Sequence, residues 1–143
     1  LVDVSHLNDQ SFWDTLDAST KPVIASHSCC RSLCDNPRNL TDEQLKALGA
    51  AAGVVAITYV PFFVDTSAPS IDRLIDHILH AIDMAGESAV GLGSDFDGGG
   101  DLLEDASHVP RITDGLLRRG VAEETVKAVL GGNTYRLLQA TID

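Results

Sequence analysis

Aromatic residues, basic residues and long apolar runs are all scarce in this 143-residue chain, and each scarcity excludes something. Aromatics make up only 5% of the residues, so Val, Ile, Leu and Ala must fill the core, which suits α/β layers better than an aromatic-rich sandwich. Lys and Arg number 10 against 21 Asp and Glu, giving a net charge of -11. Nucleic-acid binding needs a basic surface, as does docking on an anionic membrane, so neither partner is expected. The surplus acid reads as a solvated surface. No run approaches the ~20 apolar residues of a transmembrane helix, and 44% hydrophobic residues is enough for one ordinary soluble domain. Cys29, Cys30 and Cys34 form a single short cluster. An odd count with two adjacent members is a poor disulfide framework. With no second cysteine group it is also a weak zinc signal, so ordinary thiols in a reducing compartment are expected.

What the chain does have is a regular alternation of apolar runs and helical patterns. Residues 1–5 open directly in strand-like sequence, as in a segment continued from upstream, and a helix is expected over 9–18. A second strand is expected over 22–26, followed by a polar loop through the cysteines to Asn39. Thr41 followed three residues later by Gln44 has the form of a capping box and opens a helix to about residue 51. The β-branched run 54–60 predicts a strand buried on both faces. Ile71, Leu74, Ile75, Ile78, Leu79 and Ile82 make one helical apolar stripe, off which His77 and His80 fall, so both are expected to be solvated. Residues 89–93 read as a fourth strand, a glycine-rich acidic loop follows, and helices are expected over 108–119 and 122–141. The fold class expected is therefore α/β: four parallel strands alternating with helices. That is the C-terminal half of a (β/α)8 TIM-like barrel, which typically takes ~250 residues, and residues 1–143 form a single half-barrel segment. An open flavodoxin-like sheet is the alternative.

The chemistry-bearing residues sit where such a fold works. His6 ends the first expected strand, His27 the second and Asp95 the last. The C-terminal strand ends are the functional face of parallel α/β proteins, and neutral imidazoles on neighbouring strands suit one zinc-like ion. Each histidine taken alone reads equally as a structural residue. The loop Asp95-Phe96-Asp97-Gly98-Gly99-Gly100 lacks the Lys-Ser/Thr ending of a P-loop and the acidic spacing of an EF-hand, so on composition it is a turn.

Asp3-Val4-Ser5-His6, Ser26-His27-Ser28, Arg38-Asn39, Gly93-Ser94-Asp95-Phe96-Asp97-Gly98, Leu116-Leu117-Arg118-Arg119-Gly120 and Gly131-Gly132-Asn133 occur in an order and spacing that resembles the C-terminal half of the renal (membrane) dipeptidase family of zinc peptidases. The resemblance implies that His6 and His27 bind one metal of a two-zinc centre. It implies that Arg38 holds the substrate's terminal carboxylate, a task that suits a guanidinium, and that Asp95 passes a proton to the leaving amine. Phe62 falls where the family often puts a ring against the substrate, although a core phenylalanine reads equally well. The implied activity is zinc-dependent hydrolysis of small dipeptides.

The departures from the family pattern are as informative. None of the histidines is followed by Asp at the second position, so the family's His-x-Asp metal pair is missing, and with it the bridging carboxylate of an early strand. The chain alone is expected to be inactive and to need an N-terminal half-barrel, a second chain or a homo-oligomer. Asp65 stands where vertebrate members have a cysteine that pairs with the Cys34 position, which implies a bacterial-type, cytoplasmic protein. Another amidohydrolase-type barrel and a non-catalytic half-barrel interaction module are the alternatives. An oxidoreductase is disfavoured by the lack of G-x-G-x-x-G after the first strand.

Overall fold

The computed structural model describes residues 1–142. Three parallel strands, β1 (Ile24–Ser28), β2 (Val54–Ile57) and β3 (Val90–Leu92), lie side by side in sequence order. Helices α1 (Asp9–Ala18), α2 (Asp42–Ala50), a short α3 (Pro61–Val64) and α4 (Ile71–Ala85) surround them, with α5 (Pro110–Arg118), α6 (Glu123–Lys127) and α7 (Asn133–Ile142) closing the chain. Every residue of β2 is buried, as a central parallel strand flanked by helices requires.

The expected first strand is reduced to a single parallel bridge between Asp3 and Ile24, framed by Val4 N–H to Ile24 O at 2.7 Å and Ile24 N–H to Val2 O at 3.0 Å. Among the described residues the sheet therefore has three strands and a one-residue fringe rather than four full strands. It is strongly curled. A side chain on Gly93, just past β3, would come within 1.9 Å of the Ser26 carbonyl of β1 and 2.9 Å of Ala56 Cβ in the strand between them. The ends of the outer strands thus lean together over the middle one, as they do in a barrel wall.

Local chemistry accounts for the helices. The Thr41 and Gln44 capping box forms in full, with Gln44 N–H on Thr41 Oγ1 and Thr41 N–H on Gln44 Oε1. Asn8 caps α1 and Ser70 caps α4. The expected helix over 122–141 is instead two pieces joined by a π-turn, Ala128–Gly132. Asn133 then turns inward and donates to Glu87 O and Val90 O, pinning α7 to the start of β3.

His77 corrects the sequence reading: it is fully buried, not solvated. It lies three residues beyond Leu74 and four before Ala81, and α4 buries that flank through Leu74, Ile75, His77, Ile78 and Ala81. Ile71, Leu79 and Ile82 of the apolar stripe are only partly buried. The His77 ring accepts from Cys30 N–H at Nδ1 (3.0 Å) and meets Val64 O at Nε2 (2.8 Å), so the proton sits on Nε2. Burial holds its pKa below the ordinary imidazole value. His80 is half-buried beside Asp42 and Ser32, again not simply solvated.

Cys29, Cys30 and Cys34 are free and buried. Desolvation raises all three thiols, so none is poised as a thiolate.

Candidate metal and carboxylate site

The fringe at Asp3 builds the first half of the site. The Asp3 carboxylate accepts the N–H of Ser5 (2.9 Å) and of Ser26 (3.1 Å) at one oxygen and the Ser26 hydroxyl at the other. Desolvation raises its pKa, but these hydrogen bonds outweigh it and hold the carboxyl below the ordinary value. Ser5 Oγ in turn accepts His27 N–H at 3.1 Å. One carboxylate thus clamps the segment before His6 to the end of β1 that carries His27.

An ionised Asp3 only accepts, so the Ser26 hydroxyl proton points to it. Ser26 Oγ, 2.7 Å from His27 Nδ1, therefore takes the Nδ1 proton's hydrogen bond. That arrangement places the lone pair of His27 on Nε2, the tautomer of a metal-ligating histidine whose other ring nitrogen donates a hydrogen bond. His6 Nε2 lies 2.8 Å from it, with the ring centroids 4.8 Å apart. Two nitrogens on one tetrahedral zinc, with bonds of about 2.0–2.1 Å, stand about 3.3 Å apart. To share an ion the rings therefore need to part by roughly half an ångström and to give up the proton that lies between their Nε2 atoms. His6 has its pKa lowered, first by desolvation and then by the positive charges of Arg38 and His27, with Asp95 and Asp3 opposing. The neutral form that a metal requires is favoured. Among the described residues no group of three or more His, Cys, Asp or Glu side chains converges on one point, so the pair is an incomplete donor set.

His6 and Asp95 both adopt left-handed backbone, with φ of 69° and 60°. Only one other non-glycine residue, Ala52, does so among the described residues. Asp95 follows β3, where Ser94 O accepts Tyr59 N–H at 3.1 Å, and its own carbonyl accepts Gly98 N–H and Gly100 N–H. A side chain at residue 98 would meet Asp95 Oδ1 at 2.2 Å, so the carboxylate folds over a bare Gly98 backbone. The loop is thus a built turn over 96–98, with Phe96 edge-on to buried Tyr59 at 5.6 Å.

Arg38 faces the same cluster. Asp95 and Asp3 act on its charge and stabilise it, while desolvation, the larger effect, lowers its pKa. Its Nη2 is buried without a hydrogen-bond partner, and the guanidinium carbon sits 5.5 Å from the centre of the Phe63 ring. The structure therefore gathers His6, His27, Asp95 and Arg38 at one end of the sheet. Phe62 is 69% exposed and lies outside this chain's own core. Phe63, which the sequence reading passed over, carries the ring under Arg38. Pro61 at the first turn of α3 was the available signal for that helix.

The profile of the membrane dipeptidase family (peptidase family M19) matches residues 1–143. A dipeptidase of Claviceps purpurea is 35% identical over 148 residues, covering 100% of this chain and 35% of that protein. An uncharacterized protein of Klebsiella pneumoniae from the pqqA 5' region is 38% identical over 146 residues, covering 96% of this chain and 54% of its own length. Among solved structures, a Rhodobacter sphaeroides metallopeptidase liganded with a phosphinate mimic of the dipeptide L-Ala-D-Ala superposes with a TM-score of 0.91 at 31% identity. The superposition covers 99% of this chain and 42% of that one. The chain belongs to the membrane dipeptidase family, whose members are metallopeptidases, and its fold is a fragment of their (β/α)8 barrel. It spans from about a third to about half of the length of these relatives. Among the described residues no helix is long and apolar enough to cross a membrane.

Proposed function

We propose that this chain is the C-terminal half-barrel of a zinc-dependent dipeptidase, supplying two metal-binding histidines, a carboxylate-binding arginine and a proton-carrying aspartate. The observation that carries the reading is the convergence of the His6 and His27 Nε2 atoms, 2.8 Å apart, with His27 held by Ser26 in the tautomer whose lone pair is on Nε2. His6 and His27 would hold one ion, and a bound zinc supplies Lewis acidity and an activated water.

The rest of the chemistry belongs to the chain's own residues. Arg38 Nη2, desolvated and without a partner, gains the anionic oxygen of a free C-terminus. That contact favours very short peptides, because a longer chain places no carboxylate at that distance. Asp95 takes the proton lost by the attacking water and gives it to the leaving amine. The remaining metal ligands come from an N-terminal half-barrel, whether in the same polypeptide or in a partner chain. A cytoplasmic location accords with the three free thiols.

The test is dipeptide hydrolysis with added zinc, for this chain alone and beside a matching N-terminal half in trans. Activity only in the mixture, lost on Asp95→Asn, is the expected result. No activity and no zinc binding in either sample overturns it in favour of a non-catalytic half-barrel.

A further inference from the structure

The Arg38 guanidinium is not fixed by hydrogen bonds of its own Nη2, which has none; it rests against the Phe63 ring, 5.5 Å from the ring centre. Its position is therefore set by whatever fixes the backbone at residue 38 relative to α3. The adjacent side chain makes that link. Asn39 is fully buried, and its amide spans the loop and the helix. Its Oδ1 accepts Cys29 N–H at 3.2 Å, while Nδ2 donates to Cys34 O at 2.9 Å and to Phe63 O at 2.8 Å. The bond to Phe63 O satisfies one of the carbonyls that a four-residue helix leaves open at its end. His77 satisfies the next, at Val64, and holds Cys30 at the start of the loop. The loop and α3 are thereby braced into one unit.

We infer that Asn39 is the positioning residue of the carboxylate subsite, setting the arginine's reach by tying its backbone to the residue whose ring supports it; this rests on the reading of Arg38 as the carboxylate anchor. Asn39 touches no substrate. It acts through the Phe63 backbone and ring, so its loss weakens recognition of a free C-terminus and leaves other parts of substrate binding alone. A residue important only for folding weakens everything together.

The 143-residue chain, beside a matching N-terminal half and without added metal so that nothing is hydrolysed, can be titrated by NMR with L-Ala-L-Ala and with the same dipeptide as its C-terminal amide, following the Arg38 Nε–H signal. In the wild type the acid moves that signal and the amide does not. Asn39→Asp keeps the size but removes both donors, and is expected to weaken acid binding about tenfold while amide contacts stay as they were. Phe63→Leu leaves every Asn39 bond in place, is expected to give a loss in the same direction, and decides the matter if the buried substitution unfolds the loop. Wild-type affinity for the acid in Phe63→Leu or in folded Asn39→Asp overturns the inference, as does an equal loss for acid and amide. Arg38→Met separates the two levels of the argument. Unchanged acid binding in that variant, or a wild type indifferent to acid and amide, defeats the carboxylate reading itself. A loss in Arg38→Met that Asn39→Asp does not share defeats the role of Asn39 alone.

Discussion

His77→Ala removes the partners of two buried backbone groups at once, the Cys30 N–H and the Val64 carbonyl. Both residues are fully buried, so water does not replace the lost ring. An orphaned buried donor or acceptor costs ~1–3 kcal/mol, which makes ~2–6 kcal/mol for the pair before any cavity is counted. Against the ~5–15 kcal/mol that holds a domain together, that is a large fraction. With a slope of about 1.5 kcal/mol/M, a 3 kcal/mol loss moves a urea midpoint by about 2 M. The same ring makes stability pH-dependent. Its folded pKa is depressed by burial, so the unfolded chain binds the proton more readily. The stability contributed is complete above the unfolded value of about 6.5 and is lost as pH falls toward the folded one, by up to about 1.4 kcal/mol per pH unit. Urea unfolding near pH 7.5 and pH 5.5, with the His77 titration followed by NMR, measures both effects. A His77 ring that titrates at the ordinary value, or a His77→Ala midpoint within about 0.3 M of wild type, would refute the reasoning.

Two further outcomes follow from close contacts and caps. Gly93→Ala drives a methyl into the Ser26 carbonyl, against backbone that cannot rotate away. It is expected to cost ~1–3 kcal/mol or more and to separate the β1 and β3 ends, read as a lower melting temperature together with shifted His27 and Asp95 NMR signals. Thr41→Ala breaks the capping box of α2 at a cost of ~0.5–2 kcal/mol in melting experiments. Asp95 follows β3, away from the α2 cap, so its NMR signal stays in place.

The helix-and-strand beat was legible because burial on a parallel sheet writes itself as runs and stripes. The capping box at Thr41 and the α4 helix appear where the spacing predicts them, and the strand expected over 54–60 forms over Val54–Ile57. The first strand is shorter than expected because residues 1–5 pair through a single bridge, at Asp3, whose side chain turns to clamp Ser26. His77 was misread for a related reason. A histidine on the shoulder of a stripe is solvated or buried according to whether groups from other elements meet its ring, and here these are Val64 at the end of α3 and Cys30 in the loop after β1. The strand-end placement of His6, His27 and Asp95 was visible, but the Asp3-Ser26 link that orients His27 was not. Neither was the seat of Arg38 on Phe63, since both depend on side chains crossing between elements.

The left-handed backbone at His6 and Asp95 sets chemistry against folding at the same two positions. Glycine is the residue that such torsions favour, and a side chain there costs roughly 1 kcal/mol or more. A sequence tuned only for robustness would put glycine at both and lose an imidazole and a carboxylate. The scaffold instead tolerates two uphill positions, each beside a local brace: the Asp3 carboxylate bonds ahead of His6, and the Gly98 and Gly100 N–H groups on the Asp95 carbonyl.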